Sequence, residues 1–349
     1  MSEQTSIDPT ALAAIERKLT SRTLARGDLL LPCLPALCDQ HMRRIVALLT
    51  ALDQSIDEAQ ERSLRSLVER HLAHGFAASP TAQLQVTYAP DQPTSGLLGP
   101  IRLHIQAITP SLDDHYRLWP EARQEPLFGA HPDSRVMAIA ATIGDPAASP
   151  VLDVGAGVGR NTLPLARLGY PVDALELTPT FADLLWRAVE AERLPVVVTR
   201  GDVLHPRLGF RPDFYRLALA SELISHLRSI QQVGTLFAKI APALLPGGIF
   251  VCNAFLAAPG SAPTPLMREA AELGWSFLLT RDELDAALHG LPLELVAVEP
   301  ALAYERAHLP AEAWPPTPWY EGWSSGRDVC PTIAPPPFAL HWIVLRRAA

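Results

Sequence analysis

With 349 residues, 48% of them hydrophobic, the chain is long enough for two domains, or one enlarged domain, around sizeable cores. Its formal charge is −8 and no Lys/Arg run exceeds a pair, which speaks against a nucleic-acid partner. Four scattered cysteines (Cys33, Cys38, Cys252, Cys330) suit neither a disulfide framework nor a zinc site and read as small buried hydrophobes.

Residues 1–110 read as a mainly helical N-terminal module. The apolar run Leu29–Cys33 follows acids and a helical pattern, not the basic stretch and apolar core of a secretion signal. Met42, Ile45, Val46, Leu49 and Leu52 recur at helical spacing. So do Leu64, Leu67, Val68, His71 and Leu72, behind an expected capping box of Ser55 and Glu58. Leu84–Tyr88 and Ile101–Ile108 alternate in polarity and suit a β-hairpin. No apolar run reaches the roughly 18 to 20 residues of a membrane span, so no membrane partner and a cytosolic location are expected.

Residues 111–349 read as an α/β domain. A helix over Leu112–Trp119 stops at Pro120, and another is predicted over Arg135–Ile143. Short apolar runs then alternate with helices: Val151–Val154, Val172–Leu177, Val196–Thr199, Arg216–Ala220 and Ile249–Ala254. That is the pattern of a parallel sheet covered on both faces. Thr178-Pro179 opens one helix, and Thr280 with Glu283 forms a capping box for another. Strands Leu293–Val298 and Ala339–Arg346 enclose a Pro/Trp-rich insert over 300–337, long enough to suggest a function.

The sharpest local signal is Val151-Leu152-Asp153-Val154-Gly155-Ala156-Gly157-Val158-Gly159-Arg160-Asn161, a strand, a glycine loop and a helix start. Dinucleotide loops favour G-x-G-x-x-G, with a pyrophosphate on the helix N-terminus. Here the spacing is G-x-G-x-G, and Asp153 precedes it. A carboxylate there repels pyrophosphate and favours a cationic sulfonium or amine, both present in S-adenosylmethionine. Glu176, at the end of the second strand, is placed to accept hydrogen bonds from ribose hydroxyls. Asp202, in Gly201-Asp202-Val203, is a candidate for the adenine amine, although Gly-Asp is also an ordinary turn pair.

These residues resemble the class I S-adenosylmethionine-dependent methyltransferase family over about Asp114 to Ala254, and more loosely beyond. Ala243–Gly248 looks like the family's turn before the fifth strand, and Phe277–Leu284 is similar to a helix start in its small-molecule members. Gly159-Arg160-Asn161, with Ala166 and Gly169-Tyr170, is closest to the tellurite-resistance and thiopurine-type branch. The long N-terminal module and the insert depart from that branch, so a chalcogen substrate is not carried over. The resemblance implies a Rossmann-like seven-stranded sheet with an antiparallel last strand. It also implies a cofactor site of Asp153, Gly155, Gly157, Gly159, Asn161, Glu176, Leu177, Gly201, Asp202, Val203 and Ser221, with S-adenosylhomocysteine as product and no metal.

Methyl transfer from a sulfonium is an in-line displacement, so the protein has chiefly to align the acceptor in a dry pocket. The resemblance puts that acceptor above the end of the fourth strand, at Ser221–His226. Glu222 and His226, spaced i, i+4, would share a helix face, making His226 the candidate base and Glu222 its partner. Tyr116, in the helix before the core domain, is the candidate cover residue. Tyr304, Trp314, Trp319, Tyr320 and Trp323 of the insert suit an aromatic substrate cage, a packed flap or a homodimer contact. The leading expectation is methylation of a small molecule at oxygen, nitrogen or sulfur. The alternatives are methylation of a peptide or protein recognised by the N-terminal module, and a non-catalytic nucleoside-binding regulator.

Overall fold

A computed structural model describes residues 8–20, 25–52, 54–90, 101–109 and 129–348. The chain divides into two compact units, Met1–Ser111 and Leu112–Ala349. The helix expected over Leu112–Trp119, with Tyr116, lies outside the described residues.

In the first unit, α1 (Pro9–Thr20) precedes β1 (Gly27–Pro32), followed by α2 (Cys38–Ala51), α3 (Glu58–Ala78), β2 (Gln83–Pro90) and β3 (Ile101–Ile108). The expected hairpin forms: β2 and β3 pair antiparallel, with Val86 opposite Ile105. The Leu29–Cys33 run supplies most of a third strand, β1, on the other side of β2. Leu31, Leu84, Val86 and Ile105 of this sheet pack with Ile45, Val68 and Leu72 of the helices. Helix α3 starts two residues later than expected. Its capping box is Asp57 with Gln60, not Ser55 with Glu58. The Asp57 carboxylate accepts from the Gln60 amide (2.8 Å), and Gln60 Oε1 accepts from the Asp57 amide (2.9 Å). Both pairs fit the same sequence pattern, and the extended backbone at Asp57 decides between them.

The second unit opens with α4 (Ser134–Ala140) and then runs β4 (Val151–Val154), α5 (Thr162–Arg167), β5 (Val172–Glu176), α6 (Pro179–Glu192), β6 (Val196–Arg200) and β7 (Tyr215–Ala220). It continues with α7 (Ile230–Ile240), β8 (Leu244–Ala257), α8 (Pro265–Leu273), β9 (Leu278–Leu279), α9 (Arg281–Leu288), β10 (Leu293–Pro300), α10 (Ala301–His308), α11 (Tyr320–Ser324) and β11 (Phe338–Arg347). The sheet order is β10-β11-β8-β7-β4-β5-β6, with the two-residue β9 beside β8. Strand β11 is antiparallel to both its neighbours, as expected of the last strand. The centre is parallel, and its strands are apolar on both faces. Ala218 and Ala220 of β7 face one core with Phe237 of α7 and Leu284 of α9, while Leu217 and Leu219 face the other with Val136 of α4 and Leu165 of α5.

The insert is not a structureless connection: it forms α10 and α11, and its aromatics pack against the sheet. Trp323 meets Phe255 edge to face (5.0 Å, 83°), and its indole N–H donates to the carbonyls of Gly274 and Trp275 (3.2 Å each). The Trp314 face is taken by the chain's own Arg306 guanidinium, 5.2 Å from the ring centroid. Buried Glu305 accepts from the amides of Ser134 (2.8 Å) and Arg135 (3.2 Å) and from the Trp342 indole (2.9 Å), satisfying the open N-terminus of α4.

Candidate functional site

Strands β4, β5 and β7 end beside one another, and the segments that leave them line a cleft open to solvent. The glycine loop supplies Asp153, Gly155, Ala156, Gly157, Val158, Arg160 and Asn161. The end of β5 and the start of α6 supply Glu176, Leu177, Thr178 and Phe181, and the end of β7 supplies Ser221, Glu222, Leu223 and His226. Open parallel sheets bind ligands at this edge, where neighbouring connections leave in opposite directions.

The loop is anchored to β5, where the Gly155 and Ala156 amides donate to the Leu175 carbonyl (2.8 and 3.1 Å). Gly155, Gly157 and Gly159 have φ of 78°, 57° and 94°, the region that a side chain disfavours. Gly159 does not line the cleft. A Cβ there would lie 2.6 Å from Leu185 Cδ1 and 2.9 Å from Leu163 Cγ, so this glycine lets α6 pack closely on the loop. Gly201, Asp202 and Val203 are likewise outside the cleft lining. Asp202 is exposed and accepts from the Leu204 amide (2.8 Å), Val203 is buried in the core, and a Cβ at Gly201 would press on Leu208.

Asp153 is almost fully buried and accepts a hydrogen bond from the Thr162 hydroxyl (2.5 Å). Burial, aided by the neighbouring carboxylates of Asp133 and Glu176, raises its pKa to about 7 against the Thr162 hydrogen bond. The two Glu176 oxygens accept from the amides of Gly157 (2.8 Å) and Thr178 (2.7 Å). Each carboxylate oxygen retains a second lone pair, which a ribose hydroxyl can use.

At the far end of the cleft is a buried ionic cluster built on Arg160. Its guanidinium donates to Glu222 (2.8 Å), Asp133 (3.2 Å) and the Ser221 hydroxyl (3.2 Å). Asp133 Oδ2 also accepts from Ser221 (2.6 Å) and from the Asn161 amide side chain (2.8 Å), while Asn161 Oδ1 accepts from the Asp133 backbone (2.9 Å). Burial opposes the Arg160 charge, but the Asp133 and Glu222 carboxylates outweigh it and raise the guanidinium's pKa. Burial in turn raises the Glu222 pKa against the attraction of Arg160. Arg160 and Asp133 escaped sequence reasoning as site residues. Arg160 stood in view within Gly159-Arg160-Asn161, but its partners lie 27 and 62 positions away.

The expected Glu222–His226 pair on one helix face is overturned. Glu222 has a left-handed backbone (φ 56°), only Ile224–His226 form a short 3₁₀ turn, and the Glu222 carboxylate is bound to Arg160. Helical spacing therefore does not apply. The His226 ring packs instead against Trp275 (centroids 5.0 Å apart, 39°).

The cleft suits the cofactor expected from the sequence. Among the described residues, two carboxylates, Asp153 and Glu176, line the glycine-loop end, which favours a sulfonium and an ammonium over a pyrophosphate. Among the described residues no group of His, Cys, Asp or Glu is arranged to hold a metal ion, and no helix is long and apolar enough to cross a membrane.

Residues 152–252 match the family model described as "Methyltransferase domain", which does not single out the tellurite-resistance and thiopurine-type branch. No curated protein matches the chain. Among solved structures, the chain's fold resembles that of a putative sarcosine dimethylglycine methyltransferase from Galdieria sulphuraria. That pair shares 14% identity over 68% of this chain and 99% of the other, with a TM-score of 0.50. Also similar are a Haemonchus contortus phosphoethanolamine N-methyltransferase (17% identity, 72% and 64% covered, TM-score 0.49) and a geranyl diphosphate methyltransferase (16%, 62% and 78%, 0.48). The domain match, the sheet order and the acid-lined glycine loop together give the second unit a class I S-adenosylmethionine-dependent methyltransferase domain.

Proposed function

We propose that the enzyme methylates a small molecule bound at the Ser221–His226 end of the cleft that holds its cofactor. The observation that carries this reading is the continuity of the cleft. The glycine loop lines one end, and Glu222, Leu223 and His226 line the other.

In this reading Asp153 and Glu176 hold the cofactor, and Leu223 and Val158 give the acceptor an apolar wall. Bound S-adenosylmethionine supplies an electrophilic methyl group on sulfur. His226 takes the proton of an acceptor that arrives protonated. Its turn is tied to the neighbouring loop, since the Phe277 amide donates to the Ser225 carbonyl (3.2 Å) and Trp323 holds the carbonyl of Trp275. The insert thus acts on the site through Trp275, as a buttress of His226.

Calorimetry with S-adenosylmethionine, followed by incubation of the enzyme with labelled cofactor and a metabolite extract, tests the proposal. Binding and label in the low-molecular-weight fraction are expected. Label confined to protein would transfer the reading to a peptide or protein acceptor, and failure to bind the cofactor would overturn it altogether.

A further inference from the structure

The ionic cluster at the acceptor end does not balance. Among the described residues, Asp133 and Glu222 share one guanidinium, that of Arg160, so these three groups carry one negative charge in excess. The two acids are not equivalent. Asp133 accepts through Oδ2 from Arg160, Asn161 and Ser221, and it does not line the cleft, whereas Glu222 does. Glu222 uses Oε1 for Arg160, while its Oε2 accepts no hydrogen bond from any described residue. Its side chain is 14% exposed, and that exposure is to the cleft it lines.

The backbone holds this carboxylate in place at a cost. A glutamate at φ 56° is in the left-handed region, which strains a non-glycine residue. It is kept there by its own amide, which donates to Asn253 Oδ1 (2.6 Å), and by the grip of Arg160 on its side chain. Strain of this kind persists where the surrounding structure fixes a side chain for use. Among the described residues, the other charged or titratable groups near this end are Arg160 and Asp133, paired with each other, His226, the Tyr320 phenol and the Glu305 carboxylate.

We infer that the acceptor is a protonated amine and that the Glu222 carboxylate is the residue that selects it. This rests on the small-molecule reading above. An ammonium group removes the excess charge and satisfies the open oxygen with a charge-assisted hydrogen bond. A hydroxyl satisfies the oxygen but leaves the charge, and a carboxylate or phosphate adds a second negative charge to a partly buried site. In the transfer, the ammonium proton passes to His226. The freed nitrogen lone pair then forms the bond to the methyl carbon as the carbon–sulfur bond breaks, and the sulfur keeps that electron pair as a neutral thioether.

The test uses three probes with one aryl skeleton: 2-phenylethylamine, 2-phenylethanol and phenylacetate. Each is titrated by calorimetry at neutral pH into the full-length protein saturated with S-adenosylhomocysteine. The amine is expected to bind at least about tenfold more tightly than the alcohol, with phenylacetate weakest. Glu222→Gln should abolish that ranking while leaving S-adenosylhomocysteine affinity within about twofold. Equal binding of the three probes, no binding of any, or a ranking that survives Glu222→Gln would overturn the inference. So would a large loss of S-adenosylhomocysteine affinity in the variant, which would assign Glu222 to the cofactor. The wild-type ranking stands as a test even if the variant does not fold. Failure of S-adenosylhomocysteine itself to bind would instead defeat the cofactor reading beneath it.

Discussion

Replacing Arg160 by methionine keeps most of the side-chain length and removes the charge. In the wild-type protein this one guanidinium serves Asp133, Ser221 and Glu222, and its side chain is 9% exposed, beside carboxylate side chains that are 8% and 14% exposed. Without it, the two buried carboxylates lose the one guanidinium paired with them among the described residues. Removing one partner of a buried pair costs about 3–5 kcal/mol, because the remaining charge is left uncompensated. For a domain of this size, about 2–4 °C of melting temperature accompanies each kcal/mol, so the loss is expected to be roughly 6–20 °C at neutral pH. Differential scanning calorimetry on wild type, Arg160→Met, Glu222→Gln and the double variant measures it. Glu222→Gln in the Arg160→Met background should recover part of the loss, since it removes one orphaned charge. Lowering the pH should also narrow the gap, because protonation neutralises Glu222, whose pKa burial already raises. If Arg160→Met melts with wild type, or the second substitution recovers nothing, the cluster is not the electrostatic unit described here.

Gly159→Ala should destabilise the protein by about 2–5 kcal/mol, combining left-handed strain with the clash against Leu185 and Leu163; denaturant titration reads it. A neutral result would remove the packing role of this glycine. Asp153, with its pKa raised to about 7, should bind the cationic cofactor more tightly as pH rises through 7. The same group lowers the stability of the free protein as pH rises from its ordinary 3.8 to about 7, because the buried acid prefers its neutral form. Calorimetric titrations of S-adenosylmethionine between pH 5.5 and 8.5 should show this slope, and Asp153→Asn should flatten it. His226→Ala should keep cofactor affinity within about twofold and lower turnover by about 10²–10⁴ with a protonated acceptor, a loss that shrinks as pH rises and the acceptor deprotonates unaided. Unchanged turnover at neutral pH would remove His226 as the base.

The features that could be read along the chain are those whose physics is local. A buried parallel strand is a short β-branched run, a capping box spans four residues, and a tight turn needs its glycines in sequence. Hence β4, β5, β7 and the Thr280–Glu283 cap lie where the residues suggested. Local reading went astray where two registers satisfied the same pattern, as at Asp57 and Gln60. It also failed where helix was assumed for a segment that is not helical, as at Glu222 and His226. The insert's aromatics read equally as a cage, a packed flap or a homodimer contact, because composition cannot tell whether a tryptophan meets a ligand or its own sheet. The burial of Tyr320 and the contact of Trp323 with Phe255 decide that.

The sequence by itself determined the cofactor. Asp153, three glycines at alternate positions and a following helix start lie within nine residues, so their geometry follows from chain connectivity and from which φ values glycine permits. Only the tertiary structure decided what surrounds the methyl acceptor. Asp133, Arg160 and Glu222 come from three separate segments, brought together by the order of strands β4 and β7 and by the path of the chain into α4. Their charges interact through a few ångströms of space, a distance that sequence separation does not encode, and burial of the cluster makes the imbalance among those charges count.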